Sequence, residues 1–147
     1  MEGMEGMEGM EEWIGSCNTA DVMPVQRDPI VGSILRAAIA VHRALGPGLL
    51  ESLYRDCLVR ELEEDKLRVA REMLLPVVYR GGRIDRGFRL DLVVEDRVVV
   101  EVKSVKCLLP VHSAQVITYL KLSGLPRGLL INFNVARLKH GVRSFLN

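Results

Sequence analysis

The chain has 147 residues, 48% of them hydrophobic, which is enough for one folded core and too few for two full domains. No window approaches the roughly 18 consecutive apolar residues of a spanning helix, and the acidic start is unlike a secretory signal, so the expectation is a cytoplasmic protein without a membrane partner. The overall charge of +1 hides an asymmetry: residues 1–26 carry Glu2, Glu5, Glu8, Glu11, Glu12 and Asp21 and no Lys or Arg, which leaves +7 on residues 27–147. That surplus suits a polyanionic partner, and a solvated basic surface explains it equally well.

The opening MEGMEGMEGM is a three-residue repeat, and the stretch through Gln26 has neither helical nor strand periodicity. It reads as a disordered acidic leader over residues 1–26, ahead of a domain over residues 27–147. Cys17, Cys57 and Cys107 are an odd number, far apart and without a CxxC pair, so free thiols are expected rather than a zinc knuckle.

Asp28-Pro29 supplies an N-cap and a first-turn proline, after which Ile30, Ile34, Ala37, Ala38, Val41 and Leu45 recur at helical spacing. Gly46-Pro47-Gly48 stops this helix and forms a sharp bend. A second helix follows with Leu50, Leu53, Tyr54, Cys57, Leu58 and Leu62 on one face, and Glu51 is placed one turn into it. From Leu74 the composition turns β-branched and aromatic: LLPVVY, a Gly81-Gly82 turn, IDRGFRLDLVV, then RVVVEVK, which predict three consecutive antiparallel strands. Pro110 opens a helix to about Leu122, closed by Ser123-Gly124, and GLLINF is a buried-strand run. The residues through Val142 and Phe145 fit strand or helix. The fold class is therefore α/β, a central mixed sheet flanked by helices, in the order helix, helix, three strands, helix, strand.

Three charged residues are out of place in this apolar sheet: Asp91 within LDLVV, and Glu101 with Lys103 within VVVEVK. A charge in a buried strand needs a partner or a metal. Alternation puts Glu101 and Lys103 on one face. In an antiparallel pair, opposed residues have a constant sum, so Asp91 faces Glu101 only if that sum is 192. This requires a three-residue loop, Glu95-Asp96-Arg97, closed by Val94 and Val98; a two-residue turn would separate the carboxylates.

Two carboxylates ~4 Å apart repel by on the order of 4 kcal/mol at an effective dielectric near 20, a penalty that a cation or a proton removes. Mg²⁺ takes one or two carboxylates and fills its octahedron with water and phosphate, and such a site polarises a phosphodiester and activates water. Lys103 is placed to orient that water or to stabilise charge developing on the phosphate. An E-x-K string alone is weak, since Glu64-Asp65-Lys66 is another at a helix end. From these three residues an ion-paired structural network is as good an account as a metal site. Glu51 after the bend serves the site or the helix N-terminus; Gln115 and Tyr119 project from one helix face, as a functional pair or a half-buried surface.

Together, Gly48-x-x-Glu51, Asp91, Glu101-x-Lys103 and Gln115-x-x-x-Tyr119 resemble in order and spacing the motifs of the RecB-like branch of the PD-(D/E)xK nuclease superfamily. More closely, GPGLLESLY and HSAQVITYLKLSGLPRGLLINFN look like the GxxExxY proteins, over roughly residues 28–147. The resemblance implies a restriction-endonuclease-like core and a Mg²⁺ or Mn²⁺ ion on Asp91, Glu101 and the carbonyl of Val102, with Glu51 reaching it directly or through water. It makes Lys103 the catalytic lysine, and gives Gln115 and Tyr119 a supporting or DNA-backbone role. The expected function is metal-dependent hydrolysis of nucleic-acid phosphodiesters, with DNA as the favoured partner. The alternatives are a nucleic-acid-binding module that does not cut and an interaction module that pairs with itself or a larger partner. His112, near the start of the Gln115 helix, is a weaker candidate for contacting substrate.

Overall fold

The computed structural model describes residues 28–147, and Asp28 caps the first helix as the sequence predicts. Asp28 accepts a hydrogen bond from the Ile30 amide at 2.9 Å, and Pro29 opens helix α1, Pro29–Leu45. The same Asp28 carboxylate is buried and also meets Arg97 at 3.0 Å and Arg127 at 3.3 Å, so one side chain ties the start of α1 to one turn and one strand end of the sheet. The acidic leader and Cys17 lie outside the described residues.

Gly46 and Gly48 both take positive φ in the bend after α1. Helix α2, Glu51–Glu64, follows, so Glu51 is its first residue, not one turn inside it. The expected start was early because Leu50, counted on the apolar face, is the extended N-cap and is largely exposed. Tyr54 is fully buried, stacks on Phe133 at 4.7 Å between ring centroids, and spans the bend. Its hydroxyl donates to the Gly46 carbonyl at 2.5 Å and accepts from the Leu49 amide at 3.1 Å.

Strands β1 (Val69–Tyr79), β2 (Gly82–Val94) and β3 (Val98–Lys103) form the antiparallel meander; helix α3 (Pro110–Ser123) crosses over to β4 (Arg127–Asn132), which runs parallel to β3. The hairpin turn is Arg80-Gly81 rather than Gly81-Gly82, because Tyr79 pairs with Gly82 and both turn residues have positive φ, the signature of a type I′ turn. The ambiguous tail resolves into a 3₁₀ turn, Leu138–Gly141, and a strand β5, Val142–Leu146, antiparallel to β4. The sheet thus has five strands in the order β1-β2-β3-β4-β5, one more than the expected four.

Two cores sandwich the sheet. Val31, Ile34, Val41, Tyr54, Leu58 and Leu62 of α1 and α2 pack on Leu92, Val94, Val98, Val100 and Val102 from one side. Tyr119 and Leu120 of α3 pack on Val93 and Val99 from the other. The sheet's alternation is what separates these two sets. Gly128 lets α3 lie close on β4, since a Cβ there would sit 2.8 Å from a Val116 methyl. No helix among the described residues is long and apolar enough to cross a membrane. Cys57 is a half-buried free thiol, whereas Cys107 is not free, which corrects the expectation at that position.

Candidate active site

The β2–β3 pairs are Leu92 with Val100, Val93 with Val99 and Val94 with Val98, so the sum is 192 and the loop is the three residues Glu95-Asp96-Arg97. Continuing that register places Asp91 opposite Glu101. There the backbone ladder gives way to a cross-strand exchange through side chains. The Asp91 amide donates to Glu101 Oε1 at 3.2 Å, and the Val102 amide donates to Asp91 Oδ2 at 3.0 Å. Each carboxylate has one oxygen held by the partner strand's backbone.

Glu101 is buried, and that burial, with the Asp91 charge adding and Glu51 contributing less, pushes its carboxyl up to about 7 against the opposing effects of the Asp91 amide and the Lys103 ammonium. Lys103, two residues on, is half-buried. Tyr119 reaches the same place from α3: burial first, then the charges of Glu101 and Asp91, push its hydroxyl up to about 12, so it remains a proton donor. Gln115 stands one turn earlier on α3, half-buried.

Glu51 arrives from α2, and between it and Asp91 lies a residue that the sequence did not single out. Arg55 Nη2 is 3.6 Å from Glu51 Oε1 and 3.5 Å from Asp91 Oδ1. Its Nε is buried without a hydrogen-bond partner. The i,i+4 spacing from Glu51 was the available signal, but such pairs are common on helix surfaces and carry little information alone.

The loops around the site are also tied by side chains that sequence reading missed. Ser104 donates to the Leu49 carbonyl at 2.6 Å, joining the end of β3 to the residue before the α2 cap. Buried Asn132 accepts from the Val105 amide at 3.1 Å and donates to the Val105 carbonyl at 2.9 Å, holding the segment after Lys103. His112 serves the fold, since its Nδ1 accepts from the Leu109 amide at 2.9 Å at the start of α3. Burial, then Lys103 and Arg143, lower its pKa, which keeps that nitrogen an acceptor.

The sequence model of the PD-(D/E)XK nuclease superfamily matches residues 28–145, nearly all of the described chain. The chain belongs to this superfamily. Neither a curated protein nor a solved structure matches it. As a PD-(D/E)XK protein it has the mixed sheet flanked by helices that the motifs implied, built from five strands. Superfamily members typically use divalent metals, and the donor set can be tested against that. Among the described residues no three carboxylate, imidazole or thiol side chains converge as a protein cage. Mg²⁺ does not need one, because it keeps several waters and takes one or two carboxylates. The Asp91–Glu101 pair meets that requirement, and the guanidinium of Arg55 marks a position where the site already accommodates positive charge. An open cavity of about 400 Å³ lined by Asp56, Val59, Arg60, Glu63, Glu64 and Arg71 shares no residue with this site.

Proposed function

We propose that this superfamily member is a metal-dependent nuclease that hydrolyses nucleic-acid phosphodiesters, with DNA as the substrate favoured by the resemblance. The observation that carries the reading is the register that sets Asp91 against Glu101 with Lys103 two residues further along β3. Asp91 and Glu101 would hold Mg²⁺ or Mn²⁺ with the Val102 carbonyl, and Glu51 would approach from α2. When bound, the ion supplies Lewis acidity at the phosphate and makes water a better nucleophile.

The residues themselves have separable roles. Lys103 offers three N–H donors to the non-bridging phosphate oxygens or to the attacking water, where negative charge develops. In the reaction the water oxygen forms a new bond to phosphorus, one bridging P–O bond breaks, and the leaving oxygen takes up a proton. Tyr119, kept protonated, donates and does not accept protons near neutral pH. Gln115 would support the same face of α3. A Glu101 carboxyl titrating near 7 must lose its proton before it ligates a cation.

One observation favours a second reading. Arg55 already offsets charge on Glu51 and Asp91, which would suit a binding module that needs no metal. The test is to incubate the full chain with labelled single-stranded and duplex DNA, and with RNA, in Mg²⁺, Mn²⁺ or EDTA. Glu101→Ala and Lys103→Ala variants, checked for folding, run in parallel. Cleavage that needs the metal and is lost in both variants is expected; cleavage in none of the conditions above the variants' background would move the assignment to the binding module.

A further inference from the structure

The β1–β2 hairpin is longer than the sheet to which it belongs. Strand β2 has 13 residues, but β3 pairs with only its last three, Leu92–Val94. Strand β3 itself runs only three residues past Val100, to Lys103. The hairpin continues past that end to Gly82: Phe88 still packs edge-on against Tyr119 of α3 at 5.2 Å, and the six residues Gly82–Gly87, about 20 Å at the rise of an extended strand, extend beyond it. Because β3 ends at Lys103, the hairpin overhangs the end of the sheet that carries the candidate site.

Every residue from Val78 to Arg86 is exposed, with Val78 at 70% and Tyr79 at 60%, so both faces of the tip lie open. That exposed run carries Arg80, Arg83 and Arg86 against a single acidic residue, Asp85, which pairs with Arg83 at 2.8 Å, while Arg89 beyond it pairs with Glu72 at 3.9 Å. Arg80 lies over the Tyr79 ring at 5.6 Å, which holds its guanidinium at the tip. The hairpin is also built to bend: its register shifts between Leu75 and Val77, around Pro76, and a Cβ on Gly87 would collide with the Leu75 carbonyl. An isolated two-stranded ribbon is marginal in water, and one with this charge is suited to a polyanion.

We propose that this arm grips the nucleic-acid backbone beyond the point of cleavage, with Arg80, Arg83 and Arg86 on successive phosphates. The proposal rests on the nuclease reading for its substrate class. A two-stranded ribbon is also of a size that the major groove of a duplex admits, and this makes duplex DNA the probe.

The experiment measures binding of the full chain to a labelled 20-base-pair duplex (about two helical turns) in EDTA over a range of salt, by fluorescence anisotropy. The triple variant Arg80→Gln, Arg83→Gln, Arg86→Gln is compared with Arg36→Gln, Arg43→Gln, Arg60→Gln, which removes the same charge from exposed positions on α1 and α2. Loss of three phosphate contacts lowers the slope of log K against log salt by about 2.7 and weakens binding about tenfold or more near 0.1 M salt. The helix variant is expected to stay near wild type. Equal effects of both triples, no effect of the arm triple, or no binding by wild type would overturn the proposal. So would an arm triple that keeps its DNA affinity but changes self-association in sedimentation, since the arm would then serve a second copy. Measuring in EDTA separates this from catalysis: a wild-type chain that binds through the arm yet never cleaves in metal leaves the arm standing and removes the nuclease.

Discussion

At the scale of single residues, the buried Glu101 is the most informative. Its ordinary value is 4.5 and the fold holds it at about 7, chiefly by burial and then by the Asp91 charge. Between those values the folded chain retains a proton that the unfolded chain has released. The resulting stabilisation is fully present below about pH 4.5 and is lost as pH rises through 7. In EDTA, urea unfolding followed from about pH 5 to about pH 8 is therefore expected to show a falling midpoint, and Glu101→Gln, which has no proton to lose, is expected to remove most of the fall. A wild-type profile as flat as the variant's would mean that Asp91 and the low local polarity do not act on this carboxyl. The neighbouring groups illustrate what a sequence conceals at this scale. Asp91, Glu101 and Lys103 stood out because charge is costly inside an apolar strand. Arg55, Ser104 and Asn132 did not, because their importance comes from partners distant along the chain or from a pairing too common to notice.

At the scale of elements, the loop Glu95-Asp96-Arg97 decides the site. Its three residues set the sum of 192, and one fewer would turn Asp91 and Glu101 to opposite faces. Glu95 and Asp96 both adopt φ of 52°, the left-handed region that costs most side chains about 1 kcal/mol. Asp96 contributes only an exposed pair with Arg68 at 3.4 Å, which is worth little. Asp96→Gly is thus expected to be neutral or to stabilise by up to about 1 kcal/mol, and Asp96→Val to destabilise by about 1–2 kcal/mol, read from thermal unfolding. A valine variant as stable as wild type would show that the loop does not hold this conformation. Here the sequence was legible: helices, the meander, the α3 crossover and β4 followed from periodicity and punctuation. Strand β5 was not, because RSFLN at the end is short and mixes polar with apolar residues, and its place is fixed by pairing with β4. The α2 start was misplaced by one turn because the pattern counted an exposed leucine as core.

At the scale of the whole molecule, the site joins parts of the chain that are far apart: α2 brings Glu51 and Arg55, the β2–β3 pair brings two carboxylates and a lysine, and α3 brings Tyr119. A ligand that binds only this assembled arrangement must stabilise the entire fold, by about 2.7 kcal/mol when its concentration is about 100 times its dissociation constant. On the proposed metal site, Mn²⁺ at such an excess is expected to raise the unfolding midpoint of the wild-type chain and to leave Asp91→Asn unchanged. Arg55 adds a discriminating case. Its guanidinium lies 3.5 Å from Asp91 and 3.6 Å from Glu51, so a bound cation meets an existing positive charge. Replacing it in Arg55→Gln lowers metal-free stability, because two carboxylates lose their counter-charge, and increases the Mn²⁺-induced gain, because the competing cation is gone. Calorimetric titration of Mn²⁺ checks the second effect independently of unfolding. If Arg55→Gln instead weakens the ion's binding, the arginine holds the carboxylates in place for the metal rather than standing in for it. If neither variant alters the response, the ion binds elsewhere, and the carboxylate pair is a structural network closed by Arg55.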